Sequence, residues 1–456
     1  MFILPLLLLG FQAVSIFCNI IEFNNFAVRK KHLPFIQLVT ENSTISVIED
    51  EITSIGEQNS DKCSNDSFII NSAEELYYLQ KKCTFLQGSL IINKGYNERV
   101  VDLGNIREIN GDIIVEANPN IFKIDGEHLE KIGNKFHLMN LMSLVTVNFP
   151  ALRKIRSINW RVVPVLNNID IGNRLNGLKY LTISDSSISD LNVFKNVQEL
   201  AIFNINNNRF LETIESDLIS VKKQLTIHAN ADELVITLNS LYSVDNITVR
   251  DASEISLPNL TQVNSSMEFI DNYFSELHLP NLQKIDGTLG IIDNPNLNSV
   301  NFEGLKSLNG GLMIANNTKL DNIDFFPNLK QIGGAIYFDG SFNSTDMPKL
   351  KLVKGSAYIK SSSDQFNCKK WFTPVNGKAI IRGGNIKCIA KDKKSLITVN
   401  EDGSIEETSD HENNIDDLED KETIEQTNKA ASLKTIMSVV TLSNCLILSL
   451  LILFVS

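Results

Sequence analysis

The chain has 456 residues, 43% of them hydrophobic, with a formal net charge of −12 at pH 7. That length holds two ordinary domains or one long repeat array. No basic patch is legible in it, so no nucleic-acid partner is expected.

Residues 2–17, FILPLLLLGFQAVSIF, form an uncharged apolar run that is short for a membrane span, with small residues at Ala13 and Ser15. This is the pattern of a secretory signal peptide. It is taken as residues 1–18, and an N-terminal extension follows over 19–62. The stretch from Ser72 to Lys82, which includes AEELYYLQKK, is helical in pattern and placed to close the front of the fold. Cys18 and Cys445 lie in or beside segments expected to be removed. The other four cysteines, Cys63, Cys83, Cys368 and Cys388, form two pairs, each spaced by twenty, near the two ends of the folded region. Four cysteines allow three connectivities; local pairing within each pair is the simplest in an oxidising compartment. A zinc site needs tighter spacing, and no cofactor is expected.

Between the cysteine pairs the chain repeats itself. Anchored on the last leucine of LPNL, it returns at Leu260, Leu282, Leu305, Leu329 and Leu350, at intervals of 22, 23, 24 and 21. An alternating run follows each anchor: Val263-x-Ser265-x-Met267-x-Phe269, Ile285-x-Gly287-x-Leu289-x-Ile291, Leu308-x-Gly310-x-Leu312-x-Ile314, Ile332-x-Gly334-x-Ile336-x-Phe338 and Val353-x-Gly355-x-Ala357-x-Ile359. Ile109-x-Gly111-x-Ile113-x-Val115 matches them upstream. Alternation with a period of two predicts strands of seven residues with one face buried. A repeat near 23 residues is short for a strand–helix–strand unit and fits one coil of a β-solenoid or a leucine-rich-repeat-like turn. The expected fold is all-β: a right-handed parallel β-solenoid of roughly fourteen coils, about 65 Å long at ~4.8 Å per coil, with disulfide-stapled ends.

Three residues past the strands stand Asn118, Asn272, Asn294 and Asn317. Asparagine at a fixed corner satisfies turn backbone, and repeated coil after coil it forms an amide ladder. Ile121, Leu297 and Leu320 then return to the core. Glycine before the strand permits an approach that a side chain would block. Seven N-x-S/T sequons mark N-glycosylation candidates at Asn42, Asn65, Asn246, Asn259, Asn264, Asn316 and Asn343. The pleat turns Asn246, Asn264 and Asn316 outward, so glycans would coat the outside.

Residues 401–425 hold twelve Asp or Glu and one Lys, leaving about −1 for the rest of the chain. Residues 391–428 therefore read as an acidic disordered stalk, a solvated spacer between fold and anchor, with a binding site for cations or a basic partner as the alternative. Ile436 to Val455 is uncharged and follows small residues and a short polar spacer. That order is the signal for a GPI lipid anchor, with Asn428 as the attachment residue and 429–456 as the propeptide removed.

LPNLQKIDGTLGIIDNPNL, GGLMIANNTKLDNIDFFPNL, PKLKLVKGSAYIKSSSDQFNC, FPALRKIRSINWRVVPVL and YLTISDSSISDL resemble the fungal GPI-anchored cell-wall organisation and sporulation-specific proteins, relatives of the receptor L domain. The likeness covers roughly residues 63–390. It implies two L-domain-like halves, 63–200 and 201–390, and a non-enzymatic role in organising the cell wall or spore wall, including assembly of the glucan layer. The partners implied are wall polysaccharide (glucan) or other wall proteins. The location implied is the cell surface, attached by the lipid to plasma membrane or wall. The acidic stalk departs from the Ser/Thr-rich stretch of the vegetative members and favours the sporulation branch.

Two other readings compete. A receptor-like ligand-binding module predicts an exposed aromatic patch, to which Tyr273, Phe274, Tyr337, Phe338 and Phe342 are candidates, although Phe338 belongs to the buried column and the others fit stacking along a coil edge. A β-helix polysaccharide-active enzyme needs carboxylates gathered on one face. Glu268, Asp286 and Asp339 stand in different columns or far apart. His128, His137, His228 and His278 have no partner motif. No catalytic residue and no metal site is therefore assigned.

Overall fold

A computed structural model describes residues 61–372, 379–382, 384–391, 393–399 and 405–406, which belong to one compact unit, Asn59–Ser456. The signal peptide at 1–18, nearly all of the extension 19–62, Asn42, most of the stalk 391–428, Asn428 and the propeptide 429–456 lie outside the described residues.

The fold is an all-β parallel solenoid. Its principal sheet contains 23 strands, and strands from successive coils pair in parallel from Ser67–Ile70 through to Gly384–Ala390. The pairing places like side chains on one another. One inward column reads Ile70, Ile92, Val115, Leu138, Trp160, Ile183, Ile205 and Ile227 in its first half. It continues as Val249, Phe269, Ile291, Ile314, Phe338, Ile359 and Cys388. All of these are buried. Burying a large aliphatic or aromatic side chain contributes ~1.5–3 kcal/mol, and each coil contributes to the column, so the stack holds by accumulation. Pairing is continuous through residue 200: Leu200 pairs with Val221. Trp160 is the largest residue in the column; it packs edge-on against Phe136, with centroids 5.6 Å apart, and Phe194 lies beyond it at 6.4 Å.

The structure corrects the expected seven-residue strands. Each is split in two: Lys284–Ile285 and Leu289–Ile292 flank Gly287, and Ser307–Leu308 and Leu312–Ala315 flank Gly310. The break comes from backbone crowding. A Cβ on Gly287 would lie 2.6 Å from the Ser265 carbonyl, and one on Gly310 would lie 2.4 Å from the Gly287 carbonyl. Glycine there lets adjacent coils touch backbone to backbone, and the pleat resumes two residues later.

The corner asparagines are buried: Asn118, Asn272 and Asn294 at 0% and Asn317 at 4% exposure. Asn208 and Asn230 extend the same column upstream. The Asn294 N–H donates to Asn317 Oδ1 at 3.1 Å and the Asn272 N–H to Asn294 Oδ1 at 3.0 Å. The Asn208 N–H donates to Asn230 Oδ1 at 3.2 Å, and the Ser186 N–H to Asn208 Oδ1 at 3.1 Å. Ala252 stands in the column between Asn230 and Asn272, donating its N–H to Asn272 Oδ1. It offers no amide of its own, so the ladder runs in two segments. The residue before each corner is left-handed: Ala117, Asn140, Val162, Asp185, Asn207, Ala229, Asp251, Asp271, Asp293 and Asn316 all have φ between 49° and 59°. Asn and Asp tolerate that region. Val162 does not, and its left-handed backbone is held by the coils around it.

Both ends are closed. The helix Ala73–Lys82 is capped by Ser72, whose Oγ accepts from the Glu75 N–H at 3.3 Å. Acidic residues fill its first turn and lysines its last, matching the helix dipole. Leu76 and Leu79 bury against the first coils. Disulfides join Cys63 to Cys83 and Cys368 to Cys388, with Cα separations of 5.8 and 5.9 Å. The second anchors the last inward residue of the column. Beyond it the sheet changes sense: Gly384–Ala390 pairs antiparallel with Lys393–Val399, which ends the parallel stacking.

Candidate functional site

The residues one position before those of the inward column face outward and form a column of their own. In pairing order it reads Ile69, Ile91, Ile114, His137, Asn159, Thr182, Asn204 and Thr226. Thr248, Glu268, Gly290, Met313, Tyr337, Tyr358 and Lys387 complete it. Its centre, Asn159 to Thr248, is uncharged and able both to donate and to accept hydrogen bonds. Side chains repeat along it at the strand spacing of ~4.8 Å.

Neighbouring outward positions extend this chemistry sideways. The Ser184 hydroxyl donates to Asn206 Oδ1 at 2.9 Å, Asn206 Nδ2 to Asn204 Oδ1 at 2.8 Å, and Gln224 Nε2 to Thr226 Oγ1 at 2.8 Å. Two buried atoms on the face, Asn159 Oδ1 and His137 Nδ1, have no hydrogen-bond partner. An unpaired buried polar atom costs ~1–3 kcal/mol, and these two are closed off from solvent. Toward the C-terminal end the rings of Tyr337 and Tyr358 stack, with centroids 5.1 Å apart and 11° between planes, and Lys387 Nζ lies 5.4 Å from the Tyr358 centroid. The face therefore joins a strip of amides and hydroxyls to an aromatic platform. Such a surface suits a long, neutral, polyhydroxylated ligand: hydroxyls bond the strip, and the stacked tyrosine pair offers an apolar contact at its end.

Ionisable groups flank the strip, among them Lys135, Arg161 and Arg250. His137 Nε2 is 2.8 Å from Glu116 Oε1; burial holds the imidazole below its usual pKa, against the pull of Glu116. Burial, with Arg250 nearby, lowers His228 as well. Burial raises Glu268, with Arg250 and a Thr248 hydrogen bond opposing. Among the described residues no group of three His, Cys, Asp or Glu could hold a metal ion.

Of the sequons, Asn65, Asn259, Asn264 and Asn316 are exposed, while Asn246 and Asn343 are half-buried. Asn259 Nδ2 reaches the Asn239 carbonyl at 2.7 Å, and Asn343 Oδ1 accepts from the Ser363 hydroxyl at 2.6 Å. Phe274, Phe338 and Phe342 are core residues, exposed by 3% or less, so the five-residue aromatic patch is not assembled. Tyr273 is exposed past the corner, and Tyr337 stacks on Tyr358 instead. The outward strip is missed when the repeat is read only for its inward positions. Its signal was present in the residues between them.

Known proteins resemble the chain along most of its length. The Receptor L domain family matches residues 283–361. Sporulation-specific protein 2 of Saccharomyces cerevisiae is 47% identical over 81% of this chain and 74% of its own. Sporulation-specific protein 22 of the same yeast is 45% identical over 76% of this chain and 75% of its own. Protein ecm33 of Aspergillus fumigatus is 29% identical over 68% of this chain and 76% of its own.

Proposed function

The chain belongs to the fungal family of sporulation-specific and GPI-anchored cell-wall proteins, and on that premise we propose that it is a non-enzymatic surface glycoprotein that organises the glucan layer of the wall, in the spore-forming branch. The observation that carries the reading is the uncharged outward strip from Asn159 to Thr248 and the tyrosine pair beyond it. A neutral glucan chain laid along the coils would meet a new hydrogen-bonding residue at each step. The sporulation branch is favoured because the two sporulation-specific relatives share far more identity with the chain than the ecm33 protein does.

In this reading residues 1–18 direct secretion, Asn428 receives the GPI lipid, and the disulfides and N-linked glycans protect the solenoid at the surface. Glu268 and Glu116 sit in different columns of the face. They are not the close carboxylate pair that glycoside hydrolysis uses.

The test has two parts. Purified protein is mixed with particulate β-1,3-glucan, with chitin and with extracted wall proteins, and both retention and released sugar are measured. Retention on glucan without sugar release supports the proposal; steady release of sugar, or retention only on wall proteins, overturns it. Protein levels in growing and spore-forming cells decide the branch.

A further inference from the structure

One surface column handles charge differently at its two ends. The position just before each short strand is held near the front by Arg107, Glu130 and Arg153. Their backbones bond in sequence, Glu130 N–H to Arg107 carbonyl at 2.7 Å and Arg153 N–H to Glu130 carbonyl at 2.9 Å. The side chains of Arg107 and Glu130 pair at 2.9 Å, so the column there alternates in sign. Toward the C-terminal end the same position is held by Lys306, Lys330 and Lys351. The Lys330 N–H bonds the Lys306 carbonyl at 3.0 Å and the Lys351 N–H bonds the Lys330 carbonyl at 2.9 Å. All three are exposed, and none forms an ion pair among the described residues. These lysines lie more than twenty residues apart in the sequence; the coil brings them to one strand spacing, ~4.8 Å. Like charges stacked this closely repel, and an anion along the column offsets that.

The chain carries a matching anion. Residues 401–425 hold twelve Asp or Glu against one Lys. The acidic run also begins turned back on the solenoid, because Ile405–Glu406 pairs antiparallel with Thr398–Val399. Twenty-five residues reach up to roughly 80 Å when extended, and tethering raises their effective concentration far above that of a free polyanion.

We infer that the acidic segment 401–425 occupies the column of Lys306, Lys330 and Lys351, forming an intramolecular clasp that keeps external polyanions off these lysines. The clasp rests on charge and chain connectivity and is independent of the glucan reading.

Two measurements on the full mature chain test it. Zero-length carbodiimide coupling at low ionic strength, followed by peptide mass spectrometry, should join 401–425 to Lys306, Lys330 or Lys351. The coupling should persist on dilution, and it should disappear in 0.5 M salt (roughly 4 Å screening length) and in Lys306→Gln/Lys330→Gln/Lys351→Gln. Coupling only between molecules, to other lysines, or not at all overturns the inference. In parallel, dextran sulfate binding should tighten at least tenfold when the Asp and Glu of 401–425 are changed to Asn and Gln, and the three lysine changes should cancel that gain. Equal affinity with and without the acidic charges means the column is open to external polyanions and also overturns the inference.

Discussion

Asn294 Oδ1 accepts both the backbone N–H and the side-chain amide of Asn272, each at 3.0 Å. Asn294 in turn donates its own amide to the Phe269 carbonyl at 3.1 Å and to Asn317 Oδ1 at 3.1 Å. Each corner residue thus satisfies the backbone of the coils beside it. Asn294→Ala leaves the Asn272 N–H and the Phe269 carbonyl without these partners inside the core. It is expected to destabilise the fold by about 3 kcal/mol, from ~1–3 kcal/mol per orphaned buried group. Asn294→Asp, which removes the donor and adds a buried charge, costs at least as much. Urea unfolding of both variants measures this; a loss below 1 kcal/mol in either would remove the ladder from the account.

The glycines make a sharper contrast. Gly287→Ala drives a Cβ into the Ser265 backbone at 2.6 Å, whereas Gly290→Ala faces outward with its nearest neighbours at 3.5 Å or more. The first is expected to cost about 2–3 kcal/mol through overpacking. Gly290 is buried too, but an added Cβ there meets only ordinary van der Waals contacts, so the second should stay within about 1 kcal/mol. Thermal melts of the pair distinguish backbone contact from a general dislike of substitution in this coil.

Removing the front disulfide should act locally. Cys63 and Cys83 close a loop of sequence separation 20, a constraint worth about 3 kcal/mol. In a solenoid each coil rests on its neighbours, so Cys63→Ser/Cys83→Ser is expected to fray Ser67–Ile70 and the helix Ala73–Lys82. Coils near Ile247–Arg250 should be unaffected. Hydrogen exchange reads this directly: protection lost at the front alone fits, and uniform loss along the sheet does not.

The outward histidines predict an acid sensitivity. Burial holds His137 and His228 below the usual value of 6.5. The unfolded chain therefore takes up protons at a pH where the folded chain does not. Stability falls as pH drops through about 6.5, and the full loss is reached below the folded pKa values. Glu268, raised by burial, works in the opposite direction, because its protonation favours the folded state. Comparison with His137→Gln/His228→Gln isolates the imidazoles: the double variant should lose less Tm between pH 7.5 and 5.5 than the parent.

Much of the architecture was legible because it repeats. The alternation Leu289-x-Ile291 and Leu312-x-Ile314 fixed the inward face, and Asn294 and Asn317 marked the corner. The residues Asn208 and Asn230 were harder to see, since their coils lack the LPNL phrase although they keep the 22-residue spacing. The split at Gly287 was invisible to periodicity, which counts side chains and not the crowding of stacked backbones. The outward strip escaped for another reason. Asn159, Thr182, Asn204 and Thr226 are ordinary polar residues singly; only the coil register sets them in line. The lysine column at Lys306, Lys330 and Lys351 is the same lesson in charge.

The central claim is that neutral glucan lies along the outward strip and on the tyrosine pair. Calorimetric titration of the secreted protein with soluble β-1,3-glucan tests it most directly. The parent should bind. Tyr337→Ala/Tyr358→Ala at one end and Thr226→Arg at the strip should each weaken binding at least tenfold while the protein stays folded by circular dichroism. Absence of binding by the parent, or unchanged affinity in both variants, would contradict the account.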